Sequence, residues 1–306
     1  MSQYTRQYVR GRPLGAATRC LSGSGSNAKA RKMATHSMAL ATAFMLFPVA
    51  AFGADIGTVD AAVAPAAEFD SQRYGDFRDT LANWKVTIGA GGIYLPEYEG
   101  SDKFEVKPFP LISATIGDRL HLETTGITYD VFSWEGFTLS ARGGYDLGRK
   151  EDDSDYLRGL GDIDAGGVVG GIISYEAGPF EVYAALNKTI GGSDGLQGTF
   201  GARASHRYER FIFTADVSGT WADDKYMESY FGVTSAQSAS SGLAQYDAKA
   251  GVKRVDFKAS VTYMMTKNWL VTGAAGAGFL MGDAKDSPIV KDDVQPFAML
   301  GVSYKF

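Results

Sequence analysis

The chain has 306 residues, 45% of them hydrophobic, with 30 basic and 35 acidic side chains. Its mean hydropathy is −0.12. A spanning helix needs about 20 consecutive apolar residues; the longest apolar run, Met38–Phe52, is shorter and contains Thr42 and Pro48, which argues against a helical membrane protein.

That run fits a different role. Lys29, Arg31 and Lys32 precede it, and Ala51, Gly53 and Ala54 follow it. A basic segment, a short apolar stretch and small residues are the signature of a secretory signal peptide. We therefore expect residues 1–54 to be a signal peptide with a long basic segment, cleaved after Gly53 or Ala54. Cys20, the sole cysteine, lies upstream of the apolar stretch and is not a lipoprotein cysteine. Residues 1–54 carry seven Lys and Arg and no Asp or Glu, so the mature chain keeps 23 basic against 35 acidic residues, a net charge of −12. Nucleic-acid binding wants a basic face and is disfavoured. With no cysteine left, disulfides and thiol chemistry are excluded.

Residues 55–83 are rich in Ala, Asp and Arg without a period, and read as an N-terminal periplasmic arm. From Trp84 the pattern becomes alternation. Trp84, Val86, Ile88, Ala90, Gly92 and Tyr94 share one parity; Lys85, Thr87, Gly89 and Gly91 fall on the other. Period 2 places these sets on opposite faces of a strand. Strands beginning at Phe137, Phe211 and Phe257 repeat the pattern. Strands of about 9–11 residues with aromatic ends suit a transmembrane barrel. Alternation alone would also suit a soluble sandwich, but strand length, aromatic ends and abundant glycine favour the barrel. At the C-terminus Val302, Tyr304 and Phe306 share a parity with Leu300, which resembles the signal read by the outer-membrane assembly machinery.

The predicted fold is all-β: a transmembrane antiparallel barrel over residues 84–306 with about 12 strands, at 84–95, 106–116, 119–131, 137–147, 164–176, 179–190, 196–208, 211–222, 245–253, 257–265, 269–281 and 295–306. An even count returns both ends to the periplasm, and closure leaves no unpaired edge in lipid. The surroundings are then outer-membrane lipid. Two features sit awkwardly. The long segments 148–163 and 223–244 fall on the periplasmic side by this count, although long loops are usually extracellular. Parity also slips between Leu120 and Leu122 and the set Ile127, Tyr129 and Val131. We expect a bulge at Thr124–Gly126, because a turn there leaves Arg119–Glu123 too short to span.

Signals for chemistry are weak. His121 and Glu123 share a strand face, with Ser113 on the neighbouring strand, but nothing marks Ser113 as an activated nucleophile. His206 has the outward parity of an interfacial ring. Glu151, Asp152, Asp153, Asp155, Asp162 and Asp164 form an acidic segment that lacks calcium-loop spacing and is interrupted by Arg149, Lys150 and Arg158. Gly166-Gly167 and Gly170-Gly171 lie inside a strand with no helix following, so they are not a phosphate loop. The inward charges Arg142, Asp146, Glu181, Arg203, Asp216 and Lys258 either line a pore or pair with one another and close the lumen. We expect no catalytic residue, cofactor or metal.

The loops carry a specific resemblance. Pro96-Glu97-Tyr98-Glu99-Gly100-Ser101-Asp102 follows the first strand, and Leu157-Arg158-Gly159-Leu160-Gly161-Asp162 follows the fourth. Trp221-Ala222-Asp223, Tyr226-Met227 and Tyr230-Phe231-Gly232-Val233-Thr234 follow the eighth, and Asp283–Val290 precedes the last. In this order they resemble the MipA/OmpV family of outer-membrane proteins. The resemblance implies a non-enzymatic scaffold that links a lytic transglycosylase to a bifunctional penicillin-binding protein in peptidoglycan turnover. Other members are described as antigens, adhesins or proteins of antibiotic response, and a small-solute channel is the competing role. Large aromatics anchor protein contacts, which makes Tyr98, Tyr226, Tyr230 and Phe231 candidate partner contacts; a loop folded onto its own barrel rim is the competing reading of each.

Overall fold

The computed structural model describes residues 84–306; the expected signal peptide and arm lie outside them. Twelve antiparallel strands form a closed ring in which every strand neighbours its successor and the last neighbours the first. They are β1 (Trp84–Pro96), β2 (Phe104–Ile116), β3 (Leu120–Glu123), β4 (Gly126–Trp134), β5 (Phe137–Asp146), β6 (Gly166–Ala177), β7 (Phe180–Ile190), β8 (Leu196–Tyr208), β9 (Phe211–Ala222), β10 (Gly251–Met264), β11 (Trp269–Leu280) and β12 (Val294–Lys305).

The apolar parity points outward. Ile88, Ile112, Val169, Val182, Phe200 and Leu300 are exposed, while the facing parity carries buried Thr, Ser, Arg and Asp. A soluble sandwich would bury the first set, so this inversion settles the choice in favour of a lipid-facing wall. At the end of the ring that holds Trp84 and Phe306, outward aromatics meet in pairs: Phe137 with Tyr175 at 4.4 Å, Phe211 with Tyr263 at 4.9 Å and Trp269 edge-on to Tyr304 at 5.1 Å. Such a girdle marks a membrane interface.

Three predicted strands are corrected. Residues 119–131 are not one bulged strand. A turn at Thr124-Thr125 separates β3 from β4, with Gly126 at φ +154°. A Cβ on Gly126 would stand 2.3 Å from the Gly143 carbonyl oxygen, so glycine lets the turn press against β5. Conversely, the predicted strands 245–253 and 257–265 are one strand, β10. A register shift between Val252 and Arg254 turns both Lys253 and Arg254 inward and breaks the alternation. One split and one merger leave the count at twelve.

The merger and the split also correct the sidedness. Segments 147–165 and 223–250 now follow odd-numbered strands, as do 97–103, 191–195 and 281–293. All five lie at the end opposite Trp84 and Phe306, and the end that holds those two residues carries short connections such as 135–136 and 209–210. Short turns are periplasmic and long loops extracellular in such barrels, so 148–163 and 223–244 do not face the periplasm. Closure at the first seam is slight, because β2 pairs with β3 through Ser113–Ile116 alone. The ring is closed as expected, but among the described residues the rest of β2 has no ladder partner on that edge.

Candidate functional site

The long loops build a cap over the barrel mouth. Helix α1 (Asp224–Phe231) starts where the Asp223 carboxylate accepts the Tyr226 backbone N–H at 2.9 Å, satisfying one of the free donors of its first turn. Tyr226, Met227, Tyr230 and Phe231 fall at helical spacing on one buried face. They pack with Ile163, Ala222, Ala248, Leu280 and Ala284. A second apolar cluster joins Tyr98, Leu157, Leu160, Val233 and Ile289. Helix α2 (Ser235–Ser241) opens with a reciprocal cap between Thr234 and Gln237, and the Gln237 side chain donates to the Leu160 carbonyl at 2.6 Å. Tyr98 Oη donates to the Ile289 carbonyl at 3.1 Å, Ser287 Oγ to the Phe231 carbonyl at 2.6 Å and Arg149 Nη1 to the Tyr230 carbonyl at 2.7 Å. Four loops from distant parts of the chain thus share two apolar clusters and their cross-ties.

This architecture places the candidate contacts inside the cap. Tyr98, Tyr226, Tyr230 and Phe231 are 1%, 0%, 3% and 0% exposed. They hold the cap together and present no surface to a partner in this conformation. Burial pushes the phenols of Tyr98, Tyr226 and Tyr230 well above their ordinary value; Asp146, which accepts the Tyr230 hydroxyl at 3.0 Å, reinforces the effect there.

Below the cap the lumen holds two clusters of paired charge. Glu99, in the first loop, reaches two cations on the β10 bulge: Lys253 Nζ at 3.1 and 3.2 Å and Arg254 Nη1 at 3.3 Å. Lys253 also donates to Tyr226 Oη at 3.1 Å and lies 4.4 Å from the centre of that ring. Arg254 Nε meets Asp256 at 2.8 Å. A Cβ at Gly278, which faces Asp256 from β11, would stand 2.1 Å from the Arg254 guanidinium, so glycine makes the room that this side chain fills. A second cluster joins Arg203 to Glu181 and to Asp216, each at 3.3 Å, with Tyr183 Oη on Asp216 at 3.1 Å. All of these side chains are almost wholly shielded from water. Of the two roles open to the inward charges, mutual pairing is the one seen at Glu181, Arg203 and Asp216.

The remaining predicted positions take ordinary places. His121 Nε2 lies 3.0 Å from Asp130 Oδ2, and Asp130 Oδ1 accepts from Ser140 at 2.7 Å. The carboxylate partner of His121 is therefore Asp130, while Glu123 stands opposite Ser113 across the β2–β3 ladder. His206 is exposed on the outer wall. The acidic segment folds onto itself: Glu151 accepts from the N–H groups of Gly159 and Gly161, and Lys150 bridges Asp162 at 3.3 Å. Among the described residues no group of acidic, His or Cys side chains is arranged to hold a metal. Val302 and Tyr304 lie on β12 opposite Ala90 and Ile88 of β1, and the Phe306 N–H donates to the Val86 carbonyl at 2.9 Å.

Sequence reasoning found the inward charges on regular strands and missed Glu99, Lys253, Arg254 and Asp256. The bulge hid the last three by breaking parity, and Glu99 stood in a loop with nothing to show that it turns inward.

Comparison with known proteins places the chain in a family. The chain is 27% identical over 236 residues to the MltA-interacting protein of Escherichia coli K12, covering 74% of this chain and 92% of that one. It is 25% identical over 229 residues to the putative outer membrane protein YiaT of the same organism, covering 72% and 91%. Among solved structures, a NanC porin overlaps 72% of this chain and all of its own, at 10% identity and a TM-score of 0.39. The family model described as MltA-interacting protein MipA matches residues 88–306. A barrel of outer-membrane design matched from within its first strand to its last residue is an outer-membrane protein, and this chain belongs to the MltA-interacting protein MipA family.

Proposed function

We propose that the protein is a closed, non-enzymatic scaffold of the outer membrane that docks peptidoglycan-processing enzymes at its periplasmic end. The observation that carries this reading is the occluded lumen: the buried charge clusters at Glu99–Lys253–Arg254–Asp256 and Glu181–Arg203–Asp216 leave their side chains shielded from water, beneath a cap of four interlocked loops. A water-filled channel would leave such charges solvated. The partner class comes from the family: a relative is named for interaction with MltA, and the resemblance adds a bifunctional penicillin-binding protein to the lytic transglycosylase.

Such enzymes work on the periplasmic side, so docking falls to the short turns at the end that holds Trp84 and Phe306 or to the residues before Trp84, not to the cap. A photo-crosslinking residue placed at Glu135, Glu209 or Lys267, which are exposed on three of those turns, is expected to capture a lytic transglycosylase in cells. Capture from cap positions and none from the turns would transfer the role to surface adhesion. In planar bilayers the purified barrel is expected to show no stable conductance; well-defined unitary currents would replace the scaffold with a channel.

A further inference from the structure

The wall has a seam. Strand β2 pairs with β1 along its whole length, yet its other edge pairs with β3 through Ser113–Ile116 alone. The β3–β4 hairpin stops at Thr124-Thr125, so among the described residues no strand lies against Phe104–Ile112 on that side. Thr124 marks the hairpin's tip. Its hydroxyl accepts the Ile112 N–H at 3.1 Å and lies 3.1 Å from the Pro110 carbonyl. These contacts show that the even-numbered residues of β2 turn their backbone groups toward the seam.

An open edge in lipid costs several kcal/mol for each unsatisfied backbone group. Three of the five donors of this one are missing or taken. Of its five even-numbered positions, Pro108 and Pro110 have no N–H to leave unpaired, and Thr124 takes the N–H of Ile112. The same prolines prevent the edge from being closed by a strand of a second copy, because the ladder would lack those donors. The edge is fitted to lie against hydrocarbon.

What lies behind it is unlike the rest of the lumen. The inward positions of β2 beside the unpaired stretch are Phe109 and Leu111, which pack with Ile93 and Leu95 of β1 and with Phe297 and Met299 of β12. This is an apolar cluster inside a barrel whose other buried inward positions include Thr87, Thr262, Thr272, Arg203 and Asp256. Outside the seam, Val106 is 72% exposed and Ile112 and Tyr145 are also open to the bilayer. Apolar surface thus runs from the lipid-facing wall, past an edge poor in donors between Pro108 and Ile112, to an apolar interior.

We propose that this seam is a lateral portal through which an alkyl chain of a membrane amphiphile passes between β2 and the β4–β5 wall to lie against Phe109, Leu111 and Phe297. Parting the wall there breaks no strand ladder above Ser113, in contrast with every other pair of neighbouring long strands in the ring.

The test is photolabelling of the intact barrel in vesicles of phosphatidylcholine that carries a diazirine within one acyl chain, followed by mapping of the adducts by mass spectrometry. The expected result is adducts on inward Phe109, Leu111 or Phe297 as well as on outward Val106 and Ile112. Adducts confined to outward residues would overturn the proposal. So would adducts spread over polar inward positions such as Thr272 and Thr262, which would mean lipid flooding an open pore. A Leu111→Asp variant, confirmed as folded by heat-modifiable migration, is expected to lose at least tenfold of the Phe297 labelling while the outward adducts persist; unchanged labelling of Phe297 counts against the portal.

Discussion

Removing the Glu99 carboxylate is the sharpest perturbation of the cap. In Glu99→Ala, Lys253 keeps the Tyr226 hydroxyl and Arg254 keeps Asp256, but the anion between the two cations is gone. Deleting one partner of a buried ion pair costs about 3–5 kcal/mol, because a charge is left buried without its counter-ion. Lys253 and Arg254 sit on β10, which the barrel fixes; Glu99 sits in the loop. The cost therefore falls on the cap, whose closed form forces the two cations together, and the wall keeps its ladders. At 1.4 kcal/mol per decade, the open fraction rises roughly a hundredfold to three-thousandfold. Limited proteolysis of the long loops in intact outer-membrane vesicles reads this directly, since cleavage tracks the open population when reclosing is fast. Glu99→Gln, which keeps an acceptor and loses the charge, should fall between wild type and Ala. Unchanged cleavage in Glu99→Ala with retained heat-modifiable migration would refute the assignment of Glu99 as the link between cap and lumen.

Other expectations follow from the same structure. The phenols of Tyr98, Tyr226 and Tyr230 are raised by burial, so cap stability is complete below about pH 10, the ordinary phenol value, and declines as pH rises beyond it, because opened loops ionise where closed ones resist; near-ultraviolet circular dichroism against pH should show this, and a cap that loosens on acidification through the neutral range instead would contradict it. Single cysteines at Asp152 and Ala239, exposed positions of the two longest loops, should be labelled in intact cells by an impermeant maleimide, and protection until the outer membrane is permeabilised would restore a periplasmic placement. Gly278→Ala should expel the Arg254 guanidinium from its slot and raise loop cleavage as Glu99→Ala does; no change means that the slot yields. Phe306→Ala should slow assembly of newly exported chains, measured by pulse-chase, while the assembled barrel keeps its heat resistance; normal assembly would remove Phe306 from the signal together with its strand-mates Val302 and Tyr304.

Most of the wall was legible in the chain because lipid imposes a rule that lumen and bilayer both enforce at every second residue. Phe137–Asp146 and Phe211–Ala222 obey it, and their predicted bounds agree with β5 and β9 to within a residue. The rule failed where geometry broke the period. At Lys253-Arg254 a bulge sends two successive side chains inward, and alternation then suggested two strands in place of one. At Thr124-Thr125 the parity slip was visible, but a four-residue strand looked too short to exist in a membrane; β3 exists because it needs to reach only the foot of the seam. The cap was opaque for a different reason. Tyr226 and Tyr230 are recognisable as large aromatics at helical spacing, yet whether they meet a partner or one another is decided by distant loops, as where the Arg149 side chain, 81 residues away, binds the Tyr230 carbonyl.

The ties across the mouth have a consequence for the order of events in biogenesis. Tyr98 bonds to the carbonyl of Ile289, and the Gly100 N–H to the side chain of Gln295, contacts 191 and 195 residues apart in the chain. Closing such long loops carries a large entropic cost until the intervening chain is fixed. The first hairpin therefore cannot find its partner until β11 and β12 are in place, and the lid is the last part of the molecule to lock. A barrel stalled one hairpin short of completion would present its mouth unsealed, so resistance of the outer loops to proteolysis distinguishes finished molecules from unfinished ones on the cell surface.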